Sequence, residues 1–110
     1  MDIVFIEIPE FINKVDKLAT SEDVERLQSE LMENPYRGDL IQGTGGARKI
    51  RLRLGHTGKS GGARVVYYFV DMRGEVWLLD IYAKNDKSDL TETEKKKLYR
   101  IIKETINENH

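Results

Sequence analysis

Arg48-Lys49-Ile50-Arg51-Leu52-Arg53-Leu54 alternates strictly, with Ile50, Leu52 and Leu54 on one side and Lys49, Arg51 and Arg53 on the other. A period of two reads as a β-strand whose apolar side joins a core and whose other side carries a row of cations. The next strand-like run, Arg64-Val65-Val66-Tyr67-Tyr68-Phe69-Val70, opens with another cation and contains no acid. Positive charge therefore gathers on one small sheet, an arrangement suited to an RNA backbone.

The formal net charge of -1 hides this asymmetry. Residues 1–47 hold ten acids and four bases, residues 48–70 six bases and no acid, and residues 71–110 nine acids and eight bases. Screening limits each charge to about 8 Å at physiological salt, so a focused patch attracts phosphate even on a nearly neutral molecule. The plainer reading is a solvated strand face whose lysines and arginines protect a sheet edge.

With 110 residues and 39% hydrophobic composition, the chain is long enough to bury a core as one domain spanning 1–110. It has no cysteine, which excludes disulfides and thiolate metal sites and fits the cytoplasm. The first residues form a short apolar run with no basic leader and far fewer than the ~20 apolar residues of a membrane span, and read as a first strand.

Outward from the cationic strand, Phe11, Ile12, Val15 and Leu18 recur at helical spacing after Pro9. Thr20 to Asp23 makes a capping box ahead of Val24, Leu27, Leu31 and Met32, a second helix that ends at Asn34-Pro35. Residues 36–47 and 55–62 read as glycine-rich loops. Asp71-Met72-Arg73-Gly74 reads as a tight turn joining strands 64–70 and 75–83. In the latter, Trp77, Leu79 and Ile81 are expected on one face, and Val76, Leu78, Asp80, Tyr82 and, if the strand continues, Lys84 on the other. A last helix begins near Leu90, capped by Ser88 or by Thr91-x-x-Glu94, with Leu98, Ile101, Ile102 and Ile106 as its buried stripe. The expected fold is α+β: β-α-α-β-β-β-α, with the helices on one side of a four-stranded, mostly antiparallel sheet.

Three segments, 41–51 (IQGTGGARKIR), 61–69 (GGARVVYYF) and 81–90 (IYAKNDKSDL), occur in order at these strand positions. Through them the whole chain resembles the RelE superfamily of bacterial toxins, and within it the HigB-like branch. These are ribosome-dependent mRNA interferases of type II toxin–antitoxin modules. The resemblance implies a metal-free endoribonuclease, with no cofactor, that cleaves mRNA in the ribosomal A site. The 2′-hydroxyl attacks the adjacent phosphate and a cyclic phosphate results. Implied partners are the ribosome and a cognate, HigA-like antitoxin with a DNA-binding domain, with no membrane involved.

Such a reaction needs a proton acceptor at the 2′-hydroxyl, cations around the phosphorane and an acid for the leaving 5′-oxygen. The family's Lys-x-Lys position falls on Lys49 and Arg51, and its third-strand arginine on Arg64. Lysine titrates near ~10.4, so Lys49 serves as a base only with help from neighbouring cations or desolvation. Arg51 and Arg64 fork onto phosphate oxygens. Lys84 matches the cation after the fourth strand, whereas Asn85 stands where relatives carry arginine. Tyr82 substitutes for the family's tyrosine, since Thr91 occupies that place, and either donates a proton or stacks on a base. Arg48, Arg53, His56 and Lys59 complete the expected RNA contacts.

Two other classes compete. A non-catalytic toxin on the same fold would inhibit a target such as DNA gyrase by occupancy, as ParE-type relatives do, but those generally lack the Lys49–Arg51–Arg64 set. A free endonuclease would need more acid–base groups than this chain offers. Gly55-His56-Thr57-Gly58-Lys59-Ser60 ends like a phosphate-binding loop, yet Arg53 stands where that motif needs its first glycine, and a β run follows instead of a helix.

Overall fold

The computed structural model describes residues 2–55 and 62–108. The chain forms β1 (Val4–Glu7), α1 (Pro9–Leu18), α2 (Ser21–Glu33), β2 (Asp39–Leu40), β3 (Arg48–Leu52), β4 (Ala63–Val70), β5 (Glu75–Ala83) and α3 (Glu92–Arg100). A π-helical run, Ile101–Asn107, continues α3. The sheet has the order β1-β5-β4-β3-β2, and only the β1–β5 pairing is parallel. It has five strands rather than the expected four. The fifth is β2, inside the glycine-rich stretch, where Asp39 and Leu40 pair with Lys49 and Arg48.

Local chemistry explains the helix starts. Pro9 opens α1, where its missing N–H is no loss. Thr20 and Asp23 form a reciprocal capping box at α2, and Thr91 and Glu94 form another at α3. The expected turn at 71–74 is a single 3₁₀ turn closed by Gly74, whose φ of 63° lies in the left-handed region open to glycine.

The helices lie on both sides of the sheet, not on one. Phe11, Leu27 and Leu31 of α1 and α2 pack with Ile50, Leu52, Val65, Tyr67, Val76, Leu78 and Ile81. Leu98, Ile102 and Ile106 of α3 and its π-helical extension pack with Val66, Leu79 and Tyr82 on the opposite face. The unbroken apolar run Val65-Val66-Tyr67 reflects this two-sided burial, because adjacent strand residues point to opposite faces.

A β-bulge corrects the expected faces of β5. Val66 pairs with Asp80 and Tyr67 with Leu78, leaving Leu79 as an extra residue. One extra residue inverts everything after it. Ile81 therefore joins Val76 and Leu78, and Tyr82 joins Trp77 and Leu79. Asp80 holds the irregularity: its Oδ1 accepts the Ile81 N–H at 2.8 Å and Lys14 Nζ of α1 at 3.0 Å.

Tyr67 fixes the path from α2 into β2. Fully buried, its hydroxyl donates to the Pro35 carbonyl and accepts the Gly38 N–H, both at 2.8 Å. The chain runs so close there that a Cβ at Gly38 would lie 2.8 Å from the Tyr67 ring. Between β2 and β3, the buried Thr44 hydroxyl donates to Ile41 and accepts from Ala47, closing the turn.

Candidate functional site

Sheet register assembles the site. Arg51 lies opposite Arg64, and Arg64 opposite Tyr82, so the three form one row across β3, β4 and β5. Lys49 lies on the same face two residues along, opposite Val66. The bulge matters here, since it turns Tyr82 toward the arginines.

The Ile41 N–H bonds the Ala47 carbonyl, so Ala47, Lys49 and Arg51 direct their backbone groups away from β4. Arg51 and Arg64 are thus a non-hydrogen-bonded pair, the kind in which facing side chains approach most closely. Two like charges placed this way oppose folding. Neither has a carboxylate partner among the described residues: the Arg64 guanidinium makes one long bond, 3.4 Å to the Ala63 carbonyl, and Arg51 makes none. The pair is suited to an external anion with two or more oxygens.

Lys49 Nζ stands 3.4 Å from Asp89 Oδ1, which also accepts the Leu90 N–H at 2.8 Å. That backbone bond first, and then Lys49, hold the Asp89 carboxyl below its ordinary range. In this arrangement Lys49 has an anion as its neighbour, not only the cations expected from the sequence.

Tyr82 is 5% exposed, and its hydroxyl is buried with no hydrogen-bond partner. Lys87 Nζ lies 4.9 Å from its ring centroid and is itself paired with Glu94. Burial chiefly, then the Asp89 charge, raises the pKa of the phenol, while Arg64 opposes them. The group therefore keeps its proton at neutral pH.

The remaining expected residues are placed differently. Lys84 is exposed and follows the end of β5, its backbone N–H bonded to the Gly62 carbonyl at 3.3 Å. The strand does not continue to carry it onto the Tyr82 face. Arg48 turns away from the row: Nη1 donates to the Tyr36 and Gly38 carbonyls at 3.0 and 2.7 Å, and the guanidinium stands over the Tyr36 ring. Arg53 lies past the end of β3, where its carbonyl accepts from Arg26. With Arg26, Arg37 and Arg51 it borders a groove of about 540 Å³ between α2 and β3, a groove that also contains Glu30 and Glu33. His56 and Lys59 lie outside the described residues.

Among the described residues no cluster of three or more His, Asp or Glu is placed to hold a metal ion, and no helix is long and apolar enough to cross a membrane. Asp89 was not anticipated from the sequence. Ser88 and Thr91 drew attention as helix caps, and nothing local announces a bond to a lysine 40 positions earlier.

No protein-family model matches the chain. Solved structures do. An arginine-to-alanine double mutant of the E. coli toxin RelE in the free state aligns with a TM-score of 0.60 at 21% identity, over 80% of this chain and 90% of that one. The isolated E. coli RelE toxin aligns at 0.58 and 20% identity, over 91% and 99%. The toxin–antitoxin complex of E. coli RelBE aligns at 0.57 and 21%, over 73% and 94%. The chain has the RelE fold.

Proposed function

We propose, from the RelE fold and the facing arginines, that this chain is the toxin of a type II toxin–antitoxin module. Its activity is ribosome-dependent cleavage of mRNA in the A site. The observation that carries the reading is the Arg51–Arg64 pair: the fold holds two cations face to face, without a carboxylate partner among the described residues, beside a protonated phenol. In the reaction the 2′-oxygen bonds to phosphorus, the bond from phosphorus to the 5′-oxygen breaks, and a 2′,3′-cyclic phosphate remains. Arg51 and Arg64 stabilise the charge that grows on the phosphorane oxygens. Tyr82 is the candidate donor to the leaving 5′-oxygen, and Lys49 the group that takes or relays the 2′-hydroxyl proton. Lys84, Arg53, His56 and Lys59 are proposed to contact RNA around this centre.

The site has few acid–base groups, which suits an enzyme that borrows substrate positioning from the ribosome. A HigB-like identity further predicts an antitoxin of the HigA kind carrying its own DNA-binding domain, and action in the cytoplasm by residues 1–110 as one domain. The test is primer extension on a defined mRNA in a purified translation system, with wild type and Arg64→Ala, with and without ribosomes. Ribosome-dependent cuts that vanish in Arg64→Ala are expected. Cuts without ribosomes would replace the reading with a free endonuclease, and no cuts at all with a toxin that acts by binding.

A further inference from the structure

The Tyr82 hydroxyl presents a contradiction. Register puts it directly beside Arg64, within the row that would receive a phosphate, yet the residue is 5% exposed and its oxygen touches neither solvent nor a partner. RNA cannot reach it in this state. The 84–90 segment lies against it: Leu90 packs in the same cluster as Tyr82, and Lys87 stands over its ring.

The fastenings of that segment differ. At its far end the Thr91 capping box and the Lys87–Glu94 pair tie it to α3. To the sheet, the one side-chain polar bond among the described residues is Asp89 to Lys49. This bond is long, at 3.4 Å, and the Asp89 side chain is 53% exposed. Exposed ion pairs of that kind are weak and easily exchanged. A phosphate entering at Arg51 and Arg64 would compete for Lys49 Nζ and repel Asp89 at once.

We infer that Asp89 is a positioning residue: its ion pair with Lys49 holds the 84–90 segment over the Tyr82 phenol, and an RNA phosphate at the arginine pair releases it. The release frees Lys49 and uncovers Tyr82 in one movement, so both proton-handling groups become available only when substrate is present. This rests on the reading of the site as an RNA-cleaving centre.

Amide hydrogen exchange followed by mass spectrometry tests the inference on the full chain, in wild type, Asp89→Asn, Asp89→Glu and Lys49→Gln. The probe is a 2′-deoxy trinucleotide, which lacks the attacking hydroxyl. Asp89→Asn and Lys49→Gln are expected to speed exchange across 84–90 by up to about five-fold, the release of one exposed ion pair. Asp89→Glu should stay near wild type, β4 should be unchanged, and the trinucleotide should speed 84–90 in wild type while adding nothing to Asp89→Asn. Unchanged exchange in both Asp89→Asn and Lys49→Gln overturns the inference, as does a trinucleotide that binds wild type without moving the segment. If Asp89→Asn also loosens β4, Lys49→Gln decides. If the trinucleotide binds no form by calorimetry, as an enzyme that takes its substrate positioning from the ribosome allows, the two variants alone judge the Asp89 fastening, and the primer-extension assay judges the RNA reading.

Discussion

Replacing Arg64 by glutamine should make the protein more stable while abolishing the proposed cleavage. Facing residues of a non-hydrogen-bonded pair have Cβ atoms about 4.5–5.5 Å apart. Two charges near 6 Å repel by about 0.7 kcal/mol at the dielectric of water and about 2.8 kcal/mol at an effective value of 20. Arg51 is exposed and long side chains splay, so the low end applies, about 0.5 kcal/mol after screening. Glutamine keeps most of the aliphatic stem and gives up one 3.4 Å bond to the Ala63 carbonyl. For a domain near this size the gain corresponds to a rise in Tm of about 2–4 °C. Thermal unfolding by circular dichroism at low and at high salt measures it. The rise should shrink as salt screens the pair, and Lys49→Gln, which removes an attraction to Asp89, should not raise Tm. An Arg64→Gln protein that melts no higher than wild type at low salt, or a difference that ignores salt, would refute the idea that the sheet holds these cations under mutual repulsion.

Tyr67→Phe removes a hydroxyl that serves Pro35 and Gly38, leaves two buried backbone groups unpaired and should cost about 1–3 kcal/mol in urea unfolding; a loss below about 0.3 kcal/mol would mean that other groups or water take its place. Thr91→Ala removes the α3 cap and should cost about 1 kcal/mol by the same assay, with Thr91→Ser restoring most of it. Asp23 is buried at the start of α2, and its carboxyl is held well below the ordinary range, first by the Thr20 N–H and further by Arg26 and the Gly55 N–H. Because the folded-state value is depressed, this stabilisation is present above the unfolded value near ~3.9 and is lost as pH falls below it. Unfolding curves at several pH values should therefore show Asp23→Asn with a shallower acid loss than wild type, and equal slopes would place the acid sensitivity elsewhere.

Where sequence order and local chemistry coincide, the fold was legible. Alternation through Ile50 and Leu52 identified β3, and Thr20–Asp23 and Thr91–Glu94 marked the starts of α2 and α3. β2 was hidden because a two-residue strand exists only through its partner on β3. The bulge at Leu79 was hidden for a related reason: its cause lies in the β4 register and in Lys14 of α1, not in β5 itself. That single residue decided the candidate site, since strict alternation sends Tyr82 to the wrong face. Alternation put Lys49 and Arg51 on one strand face, but only the resemblance joined Arg64 to them, because the β3–β4 register that sets it opposite Arg51 is written in neither strand alone. Arg48 was not, because carbonyls of the α2–β2 connection draw its guanidinium away, and Asp89 was not, because its bond to Lys49 spans two distant segments.

The parallel pairing of β1 with β5 bears on how the molecule comes into being. Val4 finds its place only beside Glu75, and Glu7 only beside Leu78. At ordinary translation speeds of about 5–20 residues per second, the first strand emerges roughly 4–14 s before the strand that completes it. Contacts so far apart in the chain form late, after the closure entropy of the intervening loop has been overcome. Tyr82 arrives on that same late strand, and the 84–90 segment that lies over it follows. A ribosome making this protein therefore carries no assembled copy of the candidate site until about three-quarters of the chain has been translated, because β5 ends at Ala83.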